Sequence, residues 1–178
     1  TAIQVLWINL VDDGVPTLAL ATDPRSHDLM RRLPRSPSTP IVDGRMSMLI
    51  AITSGATASV AFAIFLWAGG QRNLPLSQTV VFTLVSVATL LYVFTCRSVL
   101  RPTNLVSALR NRWLVGSVML GFLMQLFAVY HPWGQRAFGT VSLPWASWII
   151  ILGASALIIW IIEGMKRFTH HGFTERIL

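Results

Sequence analysis

Long apolar runs cut by short polar ones set the pattern of this chain. Four blocks contain no Asp, Glu, Lys or Arg: Met46 to Gln71, Asn73 to Cys96, Trp113 to Gln135 and Ala137 to Ile162. Each exceeds the roughly 20 residues that a helix needs to cross a bilayer core of about 30 Å. In hydrocarbon every backbone amide must be paired, so a spanning element is a helix or part of a closed barrel. Continuous rather than alternating hydrophobicity selects helices. Residues 1–22 form a further apolar run, interrupted chiefly by Gln4, Asn9, Asp12 and Asp13. This run reads as a fifth helix. The expected fold is all-α, a polytopic membrane bundle of about five transmembrane helices.

The polar interruptions divide the chain. Gly14 and Pro16 follow the acidic pair directly, and a proline removes an amide donor and clashes with the carbonyl four residues back. The first helix is therefore expected to kink or unwind there. Pro24, Pro34, Pro37 and Pro40 exclude a helix interior between Asp23 and Gly44, which reads as an extended loop. Asn73 to Ser77, around Pro75, reads as a short turn, Arg101 and Pro102 open a second long loop, and His131 to Leu143 makes another. The expected organisation is a membrane helix at 1–22, a Pro/Arg-rich loop at 23–45, a four-helix bundle at 46–168 and a tail at 169–178. Trp67, Trp113, Tyr130, Trp133, Trp145 and Trp148 collect at the block ends, as interfacial aromatic belts do.

Charge sharpens this picture. The chain has 178 residues, 53% hydrophobic and 12% charged, with a formal charge of +7. Twelve of its 14 basic residues lie in the 21–45 segment, the 97–112 loop and the tail from Lys166 onward, and only Arg72 and Arg136 fall in the other two loops. By the positive-inside rule the first group faces the cytoplasm, and the multi-pass chain ends in a cytoplasmic tail. The basic excess follows from topology and implies no nucleic-acid partner. Cys96 is the one cysteine, so no internal disulfide exists. The first residue is Thr1, and the start reads as a truncation.

The candidate chemistry lies in the first helix. Two adjacent carboxylates in an apolar membrane helix cost a few kcal/mol each if they stay charged near the bilayer centre. Asn9, Asp12 and Asp13 stand at i, i+3 and i+4, which puts all three on one α-helical face. One amide oxygen and up to four carboxylate oxygens form a hard ligand set suited to calcium, and usable by sodium or protons. Two structural readings compete: an acidic pair solvated or ion-paired near the interface, and a site that only one Asp faces while the other packs or is protonated. Thr83, Ser86, Thr89 and Tyr92 lie at three-residue spacing on one face of the second long block and read as helix packing through small residues and local hydroxyl bonds. Glu163 reads as a partner of Lys166 or Arg167. His131, His170 and His171 show no ligand geometry.

The run QVLWINLVDDGVPTLALATDPRSHDLMRRLPRSP closely resembles the sixth membrane helix and following cytoplasmic loop of P-type cation ATPases of the calcium-pump type. FTCRS at Phe94 to Ser98 is similar to the cytoplasmic end of their eighth helix, and the remaining blocks fit the seventh to tenth. The resemblance implies an ATP-driven cation pump, with Asn9 and Asp13 as two cation ligands of the sixth helix. Asp12 stands where calcium pumps commonly carry a Thr ligand, and Thr89 roughly where an acidic or amide residue of the eighth helix helps to form a site. Calcium is the leading ion, with sodium, potassium, manganese or protons as alternatives. In the family ATP and Mg²⁺ are bound outside this region, at domains carrying a DKTGT motif that this chain lacks, so it is not active alone and catalytic residues are none. The resemblance also implies as partners the lipid bilayer and the remaining helices and cytoplasmic domains of the same pump, which the 23–44 loop contacts. Other readings are a non-catalytic structural or assembly subunit, and an intramembrane hydrolase, which would need a second carboxylate or nucleophile on another helix.

Overall fold

A computed structural model describes residues 1–21, 44–96 and 111–174. The expected loops at 23–44 and 97–112 lie outside these except at their ends, where Gly44 already begins a helix and residues 111–112 lead into another, and the last four residues also lie outside. The described residues are helical throughout, apart from turns and a short irregular stretch before Trp145.

The first helix has three parts: α1 (Ala2–Trp7), a π-helical segment (Ile8–Gly14) and α2 (Val15–Leu20). The junction residues keep right-handed helical dihedrals, with Ile8 at φ −56°, ψ −48° and Gly14 at φ −65°, ψ −50°. The helix thus widens where a kink or unwinding was expected. Pro16 removes the N–H that the Asp12 carbonyl would take in an α-helix, and a π turn shifts the register by one residue to accommodate it. Pro16 itself sits in the first turn of α2, where a missing donor costs least.

Next come α3 (Gly44–Trp67), a 3₁₀ turn (Gly70–Asn73) and α4 (Leu74–Cys96). The turn lies earlier than the Asn73 to Ser77 expected from Pro75. Gly69 at φ 110° and Gly70 at φ 54° make the reversal, conformations that side chains resist, and Pro75 falls within the first turn of α4. Then follow α5 (Arg112–Tyr130), α6 (Pro132–Phe138) and α7 (Trp145–Thr174). The α5 helix ends at Tyr130 because the residue before Pro132 is driven out of the helical region, and His131 sits at φ −81°, ψ 136°. The expected loop from His131 to Leu143 therefore contains a helix. His131 Nδ1 caps it by accepting from the Trp133 amide, and Gly139 at φ 65° closes it. At the other end α7 continues through Thr174, so the expected tail begins as helix.

Among the described residues four helices are long and apolar enough to cross a membrane: Met46–Trp67, Gly70–Thr95, Arg112–Tyr130 and Trp145–Lys166. The α4 span is the centre of the bundle, with 61% of its most apolar window buried against 11% for α3. Its buried polar side chains are Ser77, Thr79, Thr83, Ser86 and Thr95, small groups that let neighbouring helices approach closely. Gly121 of α5 shows how close, since a Cβ there would lie 2.5 Å from Leu90 Cδ2. The main core joins Ile64, Val80, Leu84, Val87, Val129 and Ile151. At one end of the bundle Lys166 Nζ donates to the Thr95 carbonyl at 2.6 Å and pairs with Glu163 at 3.3 Å, the partner expected from sequence.

The opposite end is closed by the α6 region. Gln135 donates to the Val129 carbonyl, Tyr130 to the Leu143 carbonyl, Trp148 to the Tyr130 hydroxyl and the Val141 amide to Thr79 Oγ1, all between 2.7 and 3.0 Å. This cap also holds the first helix. Gln4 Nε2 donates to the Phe138 carbonyl at 2.9 Å, and the Trp7 ring meets Phe138 edge-on at 4.6 Å beside Phe82.

Candidate functional site

The π segment carries Asn9, Asp12 and Asp13, and the structure separates them. Asp12 is 1% exposed and turned toward α4, whereas Asn9 and Asp13 are exposed on the other side of the helix. The single face expected from α-helical spacing is thus split. A π turn holds more residues than an α turn, so i and i+4 come closer to eclipse while i+3 falls back. Asn9 and Asp13 stay together as the i, i+4 pair, and Asp12 swings inward.

Ser86 of α4 meets the inward carboxylate. Its Oγ donates to Asp12 Oδ2 at 2.5 Å, joining two groups 74 residues apart. Asp12 Oδ1 has no hydrogen-bond partner although it is buried. One turn away on the same side of α4, Thr83 Oγ1 accepts from Gln125 Nε2 of α5 at 3.2 Å, and Gln125 Oε1 is again buried without a partner. Thr83, Ser86 and Gln125 are each 0% exposed. A polar row thus runs from the first helix across α4 into α5.

Sequence reading placed Thr83 and Ser86 among packing hydroxyls and gave Gln125 no role. Three-residue spacing drifts by about 60° per step around an α-helix, so Thr83, Ser86, Thr89 and Tyr92 do not share one face. Thr89 and Tyr92 instead line a groove of about 370 Å³ with Thr53, Thr57, Ala61 and Ile158, between α3, α4 and α7. Ser86, three residues earlier than Thr89, is the α4 residue that reaches Asp12. A single intramembrane amide such as Gln125 was the available signal, because an unmatched carboxamide in hydrocarbon demands a partner.

Among the described residues no three His, Cys, Asp or Glu side chains gather as a metal cluster. The described carboxylates besides Asp12 and Asp13 reduce to Glu163, at the end of α7.

Comparison with known proteins agrees with the architecture. The family of cation-transporting ATPase C-termini matches residues 1–168. This chain belongs to that family. Among curated relatives, the calcium-transporting ATPase of Bacillus subtilis is 32% identical over 167 residues, covering 91% of this chain and 18% of the relative. Calcium-transporting ATPase type 2C member 2 of Mus musculus is 28% identical over 169 residues, 93% of this chain and 18% of that protein. The probable cation-transporting ATPase F of Mycobacterium bovis is 27% identical over 156 residues, 87% and 17% respectively. The chain therefore spans about a fifth of the length of these relatives. It corresponds to the membrane C-terminal part of cation-transporting ATPases, helical through its described spans and integral to the membrane, and the resemblance drawn from the 4–37 run and FTCRS holds at that level.

Proposed function

We propose that this region contributes the sixth-helix share of an intramembrane cation site in an ATP-driven pump, with Asn9 and Asp13 as ligands on the open face of the π segment and Asp12 as the carboxylate behind them. The observation that carries this reading is the π segment itself. Such segments are rare and concentrate at functional sites, and this one spans the residues that interrupt the apolar run. Asn9 and Asp13 offer an amide and a carboxylate oxygen toward a side from which α4 and α5 are absent. That side suits the remaining helices of a protein several times longer, and those helices would supply further ligands.

Calcium leads as the transported ion, on hard oxygen ligands and on the Bacillus and mouse relatives, which are calcium-transporting ATPases. ATP and Mg²⁺ bind elsewhere in the pump. The basic segments flanking the helices lie in the cytoplasm, where they meet the domains that hydrolyse ATP, and the tail lies on the same side. The test uses the full-length pump with Asp13→Asn. Cation-dependent phosphorylation from ATP should fall at least 100-fold in a panel of Ca²⁺, Mn²⁺, Na⁺ and K⁺, with the protein still in the membrane. Unchanged dependence on whichever ion drives the wild type removes Asp13 from the site.

A further inference from the structure

Gln4 and Asp12 are the two buried polar side chains of the first helix, both on its inward side. Gln4 Nε2 donates to the carbonyl of Phe138, the last residue of α6. The final carbonyls of a helix have no partner within it, so Gln4 supplies a donor that α6 cannot. The Trp7 and Phe82 rings both pack on the Phe138 ring, at 4.6 and 6.2 Å between centroids. The cap is itself fastened to the bundle, since Thr140 Oγ1 donates to the Ala128 carbonyl and the Val141 amide to Thr79 Oγ1. Through α6 the outer end of the first helix is thus tied to α4 and α5. The inner tie is the bond from Ser86 of α4 to Asp12.

The spacing of the two ties decides how the helix between them can wind. On α4, Thr79 and Ser86 stand seven residues apart, which is two turns along one face to within about 20°. The first helix has eight residues from Gln4 to Asp12. At 3.6 residues per turn, eight residues overshoot two turns by about 80°, and an unbroken α-helix would carry one of the two side chains off the inward face. A π turn takes up more residues than an α turn, and the segment Ile8–Gly14 absorbs the surplus. We propose that Gln4 is a positioning residue for cation binding: by holding the Phe138 carbonyl it fixes the outer end of the first helix and, with Asp12 fixed by Ser86, maintains the π register that keeps Asn9 and Asp13 together on the open face. Pro16 deprives the Asp12 carbonyl of its α-helical donor at the inner end, and Gln4 stops the helix from rewinding at the outer end. Without the Gln4 amide the buried Phe138 carbonyl loses its donor, the outer end is free to turn, and the segment returns to α winding. The inference rests on the reading of Asn9 and Asp13 as cation ligands, and it gives α6, which carries no candidate ligand, a part in setting cation affinity.

The test measures phosphorylation of the full-length pump from ATP against the concentration of the cation that drives the wild type. Gln4→Met keeps the length of the side chain and removes the donor. It should raise the half-saturating concentration at least fivefold and leave maximal phosphorylation within twofold of wild type. Gln4→Lys, which restores a donor within reach of the Phe138 carbonyl, should bring half-saturation back to within twofold of wild type. Pro16 lies 12 residues from Gln4, about 18 Å at 1.5 Å per residue, a separation at which independent substitutions multiply their effects. Because both residues act on one register, Gln4→Met combined with Pro16→Ala should shift half-saturation no further than the larger single shift. Four results overturn the proposal and leave the cation site standing: a fully multiplied shift in the double variant, unchanged half-saturation in Gln4→Met, a loss of maximal phosphorylation alone, or a Gln4→Lys pump as impaired as Gln4→Met. Asp13→Asn decides the underlying reading, since unchanged cation dependence there removes the ligand that Gln4 is held to position.

Discussion

Asp12 and Asp13 are chain neighbours with opposite surroundings, and that contrast decides what each can do. Asp12 is enclosed and accepts a hydrogen bond from the Ser86 hydroxyl, so its position is fixed by α4. Asp13 is exposed and free to meet groups outside this bundle. Hydrogen bonds to charged groups contribute about 1.5–3 kcal/mol, so Ser86→Ala should lower the unfolding free energy of the full-length pump by about that amount. The same substitution should weaken cation-dependent phosphorylation by severalfold rather than abolish it, since the ligands on the open face remain. A loss as deep as that of Asp13→Asn would instead make Ser86 a direct ligand. Asn9, Asp12 and Asp13 were legible in the sequence because polar side chains in an apolar run are exceptions that need a cause. Ser86 was not, since membrane hydroxyls commonly bond their own helix backbone and a serine carries no mark of the partner it meets 74 residues away.

At the scale of elements, the helices were readable from run length and their ends were not. The Pro132 helix was hidden because proline and two glycines signal a turn as strongly as they signal the start and finish of a short helix. The π register was equally hidden, since period and propensity describe α turns. Pro16 is the local cause proposed for it. Pro16→Ala restores the N–H that lets the α register run through, which should turn Asp12 relative to Asn9 and Asp13 and lower the apparent cation affinity of the pump at least tenfold, read from the concentration dependence of phosphorylation. An unchanged affinity would mean that the register is set by packing on α4 instead. The α6 cap allows a second test. A Cβ at Gly134 would lie 2.5 Å from the Phe127 carbonyl oxygen and 2.9 Å from Ala128 Cα, both backbone atoms that cannot rotate aside. Gly134→Ala should cost about 1–3 kcal/mol, as overpacking does, in thermal unfolding of the full-length pump, and should loosen the Gln4 to Phe138 contact that fixes the outer end of the first helix.

For the whole molecule, the question with the most consequence is how many times the chain crosses the membrane. Among the described residues four spans satisfy length and hydropathy, and an even number of crossings would put the first helix's start and the end of α7 on the same side. The first helix, residues 2–20 across its three parts, is about 28 Å long at 1.5 Å per residue if wound entirely as α, close to the hydrocarbon thickness. A wider π turn shortens it somewhat, and the cap around α6 holds its start at the end of the bundle opposite Lys166. Five crossings would then put residue 1 on one side of the membrane and the 21–45 segment, the 97–112 loop and the tail on the other, and the 12 of 14 basic residues in that second group predict its side to be the cytoplasm. Single cysteines in a Cys96→Ala version of the full-length pump test this directly. At Thr1, Gln71 and Trp133 they should react with a membrane-impermeant maleimide on intact cells, whereas at Ser36 and Ser107 they should react only after permeabilisation. Labelling at Ser36 on intact cells would place that segment outside and invert the bundle. Protection at Thr1 with labelling at Gln71 and Trp133 would leave four crossings, and Asn9 and Asp13 would then line a re-entrant helix rather than a path through the membrane.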